Sequence, residues 1–444
     1  MGSANALTAP SILAWWQRQM VPAVATNCRI LSSLLFGLSA ICTTNVAAQE
    51  ALRLSLAGEQ AAENRKKTAS VLSSSDLQLW GMVWRFGAGL ALEASDNVRL
   101  VSKVPEGDLV LRPQAIAEMS LPLTDKNTVA LTLAGGYSDY LQHSQFNRWY
   151  LQPGSQISFD VYVGDFWLDL HDRISVLEDS YQDPTVVGIA DYALLQNVAG
   201  ISAVWDLNKA TIKLGYDHVN YHVLSGGGQQ QARMPDGVSE VFSSSLGYSL
   251  KTEMVVGLEF GGSLVEYAST RINSFFTRAR EWNTGCFIQM RLSRYTSIRG
   301  SFGYDSFSPD AEGSRTSADF TGVYVQASLA NRFNRHVELA LTGGRNINFT
   351  LFGGTMDLSY AQLSLNWNLL RQTQLNTAFA FEHGDQLGLA HEHFARHGPS
   401  LSVGRELTRK LSATVRYQWF CRTSDLPERD YAVNIAMLDL RYQF

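Results

Sequence analysis

Residues 84–93 read Trp-Arg-Phe-Gly-Ala-Gly-Leu-Ala-Leu-Glu, so the even positions are apolar and the odd positions are charged or small. Successive side chains of a β-strand point to opposite faces. This segment therefore has one apolar face and one face of charged or small side chains. The same alternation returns in residues 128–137, 165–174 and 411–419. The pattern predicts β-structure whose two faces meet different surroundings.

The composition excludes several other classes of protein. Charged residues make up only 17% of the 444 residues, compared with about 25% in typical soluble domains. After residue 50 no apolar run reaches the ~20 residues that a membrane-spanning helix needs. The 17 Tyr, 21 Phe and 10 Trp exclude a disordered chain. Low charge, many aromatic residues and no long apolar run together favour a large all-β protein.

The N-terminus resembles an export signal. The first 48 residues contain no Asp or Glu, and Arg18 and Arg29 precede a 13-residue apolar stretch that ends in small residues before Gln49. Thirteen residues are too few to cross ~30 Å of hydrocarbon. We therefore predict a secretory signal peptide, residues 1–48, cleaved after Ala48. Residues 49–79 are predicted to be a periplasmic extension, a tail rather than a plug, and residues 80–444 the folded domain.

Removal of the signal makes the chain more acidic. Without Arg18 and Arg29 the chain has 34 basic and 41 acidic residues, a net charge of −7. A protein that binds nucleic acid needs a basic surface. Nucleic acid is therefore not an expected partner.

The spacing of the strands favours a transmembrane barrel over a soluble sandwich. Short and long connections alternate, as expected when one rim faces the periplasm and the other the outside. The short connections are 122–127, 164–165, 207–209, 251–253, 294–297, 331–336, 370–374 and 406–410. The long connections are 138–154, 175–196, 223–237, 268–283, 306–317 and 384–398. The count gives an antiparallel up-and-down β-barrel of about 18 strands (16–20), with both chain ends on the side of the short turns.

Aromatic residues cluster where strands end, as in the girdles at the two membrane–water boundaries. Strands are rich in aromatic residues in any case, so this pattern is modest support. Those beside short turns are Trp205, Tyr248, Tyr295, Phe333, Trp367 and Tyr442. Those toward long connections are Tyr140, Tyr221, Tyr267, Tyr304, Trp419 and Tyr431.

The last strand carries a further signal. Leu440, Tyr442 and the terminal Phe444 share one face of an alternating strand. A C-terminal Phe in such a strand resembles the signal by which bacterial outer-membrane barrels are recognised for assembly. Export signal, alternation and terminal Phe444 together predict a location in the outer membrane of a Gram-negative bacterium.

Several stretches resemble the beta-barrel porin type 2 family of outer-membrane proteins. The resemblance covers the first half of the predicted barrel well and the second half only by pattern. The stretches that carry it are Ala94–Val98, Leu111–Pro113, Tyr162–Arg173 and Asn197–Tyr221. The resemblance implies an outer-membrane barrel and a pore, and it implies no particular substrate.

No catalytic set is predicted. Outer-membrane hydrolases use Ser, His and Asp groups, but this chain has no Gly-x-Ser-x-Gly elbow. His171 and Asp172 are adjacent, so on a strand their side chains face opposite ways and cannot pair. Asp169, His171 and Arg173 share the polar face, where opposite charges can neutralise each other. Lipid hydrolysis is therefore the least favoured function.

The alternation also predicts which charged side chains line the interior of the barrel, the lumen. Eight are basic and nine are acidic, and His171 joins them. The basic residues are Arg85, Arg112, Arg173, Lys213, Arg291, Arg299, Arg416 and Arg441. The acidic residues are Glu93, Glu118, Asp160, Asp169, Asp217, Glu259, Glu338, Glu382 and Asp439. Rings of one sign create ion selectivity, so this near balance predicts a weakly selective pore, mildly cation-preferring at most.

Two loop features have alternative interpretations. The stretch 391–397 holds His391, His393 and His397, which could bind a transition metal, but it lacks the His-Glu-x-x-His spacing. A polar surface loop without metal is the preferred interpretation. Arg278, Arg280 and Arg294 could touch lipopolysaccharide phosphates, although loop and turn Arg residues are usually just solvated.

The sequence as a whole favours a passive or weakly selective porin-like channel for small solutes, monomeric or trimeric and without a cofactor. Its expected surroundings are outer-membrane lipid, lipopolysaccharide and the barrel-assembly machinery. The alternative is a closed or export-associated barrel that serves polysaccharide secretion or surface interaction. The solute, the openness of the lumen and the oligomeric state are left open by the sequence.

Overall fold

A computed structural model describes residues 77–124, 126–178, 187, 193–224, 236–268, 278–310, 319–349, 355–370, 372–387 and 391–444. The predicted signal peptide lies outside the described residues, as does the predicted extension up to residue 76. Among the described residues no helix is both long and apolar enough to cross a bilayer.

Strands make up 80% of the described chain, and one short 3-10 turn, η1 (Ser144–Phe146), is present among the described residues. The first ten strands are β1 (Leu77–Leu79), β2 (Met82–Ser95), β3 (Asp108–Pro122), β4 (Thr128–Tyr140), β5 (Arg148–Leu151), β6 (Gln156–Val163), β7 (Phe166–Leu177), β8 (Leu194–Asp206), β9 (Ala210–Val223) and β10 (Gly237–Lys251). The remaining ten are β11 (Met254–Tyr267), β12 (Arg278–Arg291), β13 (Thr296–Asp310), β14 (Phe320–Arg332), β15 (Val337–Phe349), β16 (Thr355–Leu370), β17 (Thr373–Leu387), β18 (Glu392–Glu406), β19 (Leu411–Ser424) and β20 (Tyr431–Gln443).

The strands form one closed antiparallel barrel. From β6 to β20 each strand pairs with the next along the chain, and β20 returns to pair with β2, from Gly87 opposite Gln443 to Ser95 opposite Ile435. β5 and β6 both pair with β4 and share one position in the wall, while β1 pairs only with the start of β2. The barrel therefore has 18 strand positions, as the alternating connections predicted.

The short connections lie where the sequence predicted them. β6 and β7 are joined by Gly164 and Asp165 alone, and Gly164 adopts φ +61°. Glycine adopts this left-handed conformation without steric cost. We call the edge of the barrel with these turns the short rim and the opposite edge the long rim. β2 begins and β20 ends at the short rim, which confirms the predicted parity.

Several of the predicted long loops are wrong in extent, among them 138–154, which contains the end of β4 and all of β5. The segment 384–398 is mostly strand, because β17 continues to Leu387 and β18 begins at Glu392. β12 likewise begins at Arg278, and β13 continues to Asp310. Strands that rise above the apolar band have polar residues on both faces, so the hydrophobic alternation fades although the backbone ladder continues. These strand ends were therefore predicted as loops.

The two faces of the wall differ as predicted. Large apolar side chains are exposed on the outer face, among them Leu90, Leu214 and Leu258, which is 63% exposed. Charged and polar side chains on the inner face are buried, among them Glu93 and Asp169. An exposed apolar surface around the whole wall is far larger than the patches that soluble monomers tolerate. Lipid is the surrounding that such a surface suits.

The aromatic girdle is confirmed at the short rim and partly wrong at the long rim. The six aromatic residues predicted beside short turns are all exposed; Trp205, Tyr248, Trp367 and Tyr442 face outward by register, and Tyr295 and Phe333 lie in the turns themselves. At the long rim Tyr304 and Trp419 face outward, whereas four tyrosines face the lumen by strand register. These four are Tyr140, Tyr221, Tyr267 and Tyr431. Nearness to a strand end does not specify a face, which depends on whether the position is odd or even.

Candidate functional site

The register places every predicted pore-lining residue on the inner face of the wall. Side chains of directly opposed residues lie on the same face of a sheet. The pairings therefore identify the inward-facing residues of each strand from those of its neighbour. Arg85 lies opposite Glu118, Asp160 opposite Asp169, and Thr414 opposite Asp439. That these residues line an open channel stays a prediction. The inner-face set comprises Arg85, Glu93, Arg112, Glu118, Asp160, Asp169, His171, Arg173, Lys213, Asp217, Glu259, Arg291, Arg299, Glu338, Glu382, Arg416, Asp439 and Arg441.

Sequence reasoning missed further charged residues on the same face. Four of them are basic and six are acidic, so acidic residues slightly outnumber basic ones. They lie near strand ends, where the sequence interpretation had already ended the strand or begun a loop. The missed residues are Asp108, Arg148, Asp206, Glu281, Asp305, Arg332, Glu392, Arg396, Glu406 and Arg422.

Two pairs of opposite charge join β2 to β3 inside the barrel. Arg112 Nη1 lies 3.1 Å from Glu93 Oε2, and both side chains are buried. Arg85 and Glu118, which are directly opposed in the register, form a second ion pair. The electrostatic potentials of two opposite charges at this short separation largely cancel in the rest of the lumen. The lumen wall here is polar but electrically neutral.

His171 is the centre of a three-strand hydrogen-bond network. Its Nδ1 lies 2.5 Å from Asp169 Oδ1, and its Nε2 lies 2.7 Å from Asp217 Oδ1. Asp217 is two strands away, and Gly200 lies between them on β8, where a Cβ would overlap both side chains. Two carboxylates can both accept from one imidazole only if the ring carries both protons. Both ring nitrogens are thus occupied, and neither is left to activate a nucleophile.

A second network crosses even more of the wall. Tyr324 on β14 donates its hydroxyl to Glu259 Oε1 on β11, over a distance of 2.7 Å. The ring lies over Gly303 and Gly285, which occupy the two intervening strands, and a Cβ at either glycine would overlap it. Small residues on the inner face therefore let an aromatic ring lie flat against the wall instead of projecting into the lumen.

The most deeply buried charges lie toward the long rim. Arg396 donates to Glu382 Oε2 from Nε at 2.7 Å and is 2.6 Å from it at Nη2. Arg422 Nη2 lies 2.8 Å from Glu392 Oε1, and its guanidinium is 4.3 Å from the centroid of the Phe394 ring. Glu392 also accepts from Ser424 Oγ at 2.6 Å. These residues hold β17, β18 and β19 together from the inside.

The histidine-rich stretch 391–397 is not the loop that the sequence predicted. From Glu392 onward it forms the start of β18, and the strand alternation splits these residues between the two faces. Glu392 and Arg396 face inward, while His393 faces outward and lies 2.5 Å from Asp385 Oδ1 through its Nδ1. In the part of the chain that the structure describes, no three or more His, Cys, Asp or Glu side chains are arranged to hold a metal ion.

The three arginines considered for lipopolysaccharide lie at different rims. Arg278 and Arg280 face outward near the long rim, where Arg278 Nε is 2.7 Å from Glu266 Oε1 and Arg280 is 3.9 Å from Asp310. Arg294 lies in the turn between β12 and β13 at the short rim. Arg294 is therefore removed from the surface that carries the other two.

No protein-family model matches this sequence, and no curated protein matches it. Solved structures of similar architecture are outer-membrane porins. A BenF-like porin from Pseudomonas fluorescens is 9% identical, with 82% of this chain and 100% of that chain covered and a TM-score of 0.49. OccK2 (OpdF) from Pseudomonas aeruginosa, solved with glucuronate, is 13% identical, with 81% and 98% covered and a TM-score of 0.48.

OccAB3 from Acinetobacter baumannii is 12% identical, with 81% of this chain and 99% of that chain covered and a TM-score of 0.45. The likeness to these neighbours is one of fold. Their identities and TM-scores are too low to transfer a substrate. The architecture of this chain rests on its own strand pairings.

Proposed function

We propose that this protein is a weakly selective passive channel for small solutes in the outer membrane. The observation that carries the proposal is the closed 18-position wall, apolar outside and lined with charged and polar residues inside. Side chains fill the interior of an eight-stranded barrel, but at about 16–18 strands they leave an aqueous passage unless loops fold inward. A polar passage through an apolar belt suits the diffusion of hydrophilic solutes.

The proposal includes the route to the membrane. The signal peptide would direct export, and Leu440, Tyr442 and Phe444 would direct barrel assembly. In the structure the amide of Phe444 donates to the Phe86 carbonyl at 3.0 Å, and its ring packs edge-on against Tyr442. The chain end is therefore part of the seam that closes the barrel.

Conductance is the direct test of the channel. Folded protein in a planar bilayer is expected to give discrete ionic current steps, and liposomes that carry it are expected to swell in small sugars. Folding would be established beforehand by the shift in mobility on gels between unheated and heated samples. Folded protein without current or swelling would contradict the proposal.

Weak ion selectivity is expected if the channel conducts. Most charged side chains of the lumen wall are paired with an opposite charge, as in Glu93–Arg112 and Glu382–Arg396. A nearly neutral lining discriminates little between potassium and chloride. The reversal potential in a KCl gradient should therefore lie close to zero, with a slight cation preference. A strong anion preference would contradict the claim that ion pairing leaves the lumen lining nearly neutral.

A closed or export-associated barrel is the second candidate, and one observation favours it. Leu100, from the connection between β2 and β3, packs with Val433 and Ile435 on the inner face of β20, and Val187 contacts the same cluster. Two long-rim connections thus reach into the lumen. Absence of conductance in folded protein would favour this candidate over the channel.

A further inference from the structure

The first long-rim connection, residues 96–107, begins by completing the seam of the barrel. β2 ends at Ser95 opposite Ile435, so the first residues of β20 extend beyond their neighbour. The connection supplies the missing partners. Asp96 N donates to the Asn434 carbonyl at 3.2 Å, Asn434 N donates to Asp96 Oδ1 at 2.7 Å, and Asn97 Nδ2 donates to the Ala432 carbonyl at 3.0 Å. A sheet edge with unpaired backbone groups is costly, so these bonds fix where the connection starts.

Asn97 then turns the chain into the lumen. Its Nδ2 donates to the Val101 carbonyl at 2.8 Å, and its Oδ1 accepts from Val101 N at 3.1 Å. Leu100 lies within this turn at φ +51°, a conformation that a non-glycine residue adopts only when its surroundings require it. The side chain of Leu100 is 2% exposed and packs against Tyr431, Val433 and Ile435. All three face the lumen by register, so Leu100 anchors the connection inside the barrel.

The second half of the connection, which leads into β3, is fixed by contacts of Glu106. Val98 N donates to the Glu106 carbonyl at 2.9 Å, and Arg99 Nε lies 3.0 Å from Glu106 Oε2. His143, from the connection between β4 and β5, bridges Glu106 and Asp108 with its two ring nitrogens at 2.9 and 2.8 Å. Residues 96–107 therefore form a strap fixed at both ends and, through Leu100, in the middle.

Ion pairing and burial shift the pKa of three groups near the strap. Lys103 Nζ lies 2.6 Å from Glu428 Oε1, and their hydrogen bond raises the pKa of Lys103 and lowers that of Glu428. Both side chains are well exposed, so solvent screens this pair. Burial raises the pKa of Asp96 against the opposing effect of its bonds to Asn434. The Lys103–Glu428 pair therefore adds little to the attachment of the strap.

We propose that the strap, residues 96–107, is the element that limits the size of solute the channel admits, and that Leu100 is the residue that positions it. The inference rests on the proposed channel function. Because Leu100 packs on the inner face of β20, this part of the strap lies inside the barrel and takes up cross-section of the lumen. Loosening its anchor should enlarge the passage without changing the wall.

Two variants loosen the anchor, and a matched variant on the same connection leaves it intact. Leu100→Ala removes most of the buried side chain, and Asn97→Ala removes the bonds that form the turn together with the bond to the Ala432 carbonyl. Val104→Ala is the control, because Val104 is also apolar and on the strap but is 81% exposed. Leu100→Met keeps the volume and should keep wild-type behaviour.

The experiment compares single-channel current and liposome swelling over a size series of sugars, for variants shown to be folded by heat-modifiable mobility. Leu100→Ala and Asn97→Ala are expected to raise conductance about twofold and to admit larger sugars, while Val104→Ala and Leu100→Met match wild type. If wild type and Leu100→Ala conduct equally, the role of the strap is overturned and the channel stands. If neither wild type nor Leu100→Ala conducts, the channel proposal is contradicted, and so is this inference.

Discussion

Replacement of Arg396 by Leu is expected to destabilise the folded barrel by about 3–5 kcal/mol, because it leaves a buried carboxylate without its partner. Glu382 and Arg396 are directly opposed on β17 and β18, and they are 1% and 4% exposed. Arg396 Nε and Nη2 both lie close to Glu382 Oε2, and the other carboxylate oxygen has no hydrogen-bond partner among the described residues. Chemical unfolding in detergent, followed by tryptophan fluorescence, should show the loss as a lower midpoint.

Two controls separate charge from packing at this pair. The double variant Glu382→Gln with Arg396→Leu removes both charges, so it should recover a large part of the lost stability. Arg278→Leu breaks an exposed pair with Glu266 and should cost less than about 1 kcal/mol. A double variant as unstable as Arg396→Leu alone would show that the stranded carboxylate is not the cause.

Gly303→Ala is expected to have a comparable effect through steric overlap. A Cβ at this position would overlap the ring of Tyr324 and the Thr284 carbonyl of the neighbouring strand. The ring would have to lift into the lumen, so Glu259 would lose the hydroxyl that it accepts from. Overpacking costs about 1–3 kcal/mol, and an unsatisfied buried acceptor costs a further ~1–3 kcal/mol. The unfolding midpoint should fall, and the conductance should fall with it because the ring narrows the passage.

Gly300→Ala is the matched control for this substitution. Gly300 lies on the same strand but faces outward, and a Cβ there would meet its nearest atom, Ile288 Cγ2, at an ordinary 3.7 Å. Its stability should stay within about 0.5 kcal/mol of wild type. Tyr324→Phe should lose the hydrogen bond but keep the ring in place, so conductance should persist. Equal losses for Gly300→Ala and Gly303→Ala would rule out the flat-lying ring as the reason.

Much of the fold could be predicted because it depends on local pattern. The alternation in 84–93 gave the two faces of β2, and the connections at 164–165 and 207–209 gave turns at the right places. The inner-face position of residues such as Arg112 and Asp439 followed from the same period of two. These features need only neighbouring residues in sequence, so one chain suffices to predict them.

Prediction failed where the membrane stops imposing a pattern. Above the apolar band both faces of a strand meet water or other polar groups, so the continuation of β17 and β18 through Asp385 and His393 resembled a loop. The inward charges Glu392 and Arg396 were missed for that reason. The prediction of an aromatic girdle at the long rim failed for a different reason. Tyr221 and Tyr431 lie near the long rim as predicted, but their strand positions place them on the inner face.

The sequence by itself determined the class of fold, the approximate number of strands, the short turns and the face of each charged residue that it assigned to the lumen, since these follow from a period of two along the chain. Only the tertiary structure decided which residues meet. His171 reaches Asp217 over Gly200, Tyr324 reaches Glu259 over two glycines, and Asn97 binds the carbonyl of Ala432, 335 residues later in the chain. Such contacts depend on register and closure between distant segments, which alternation does not specify.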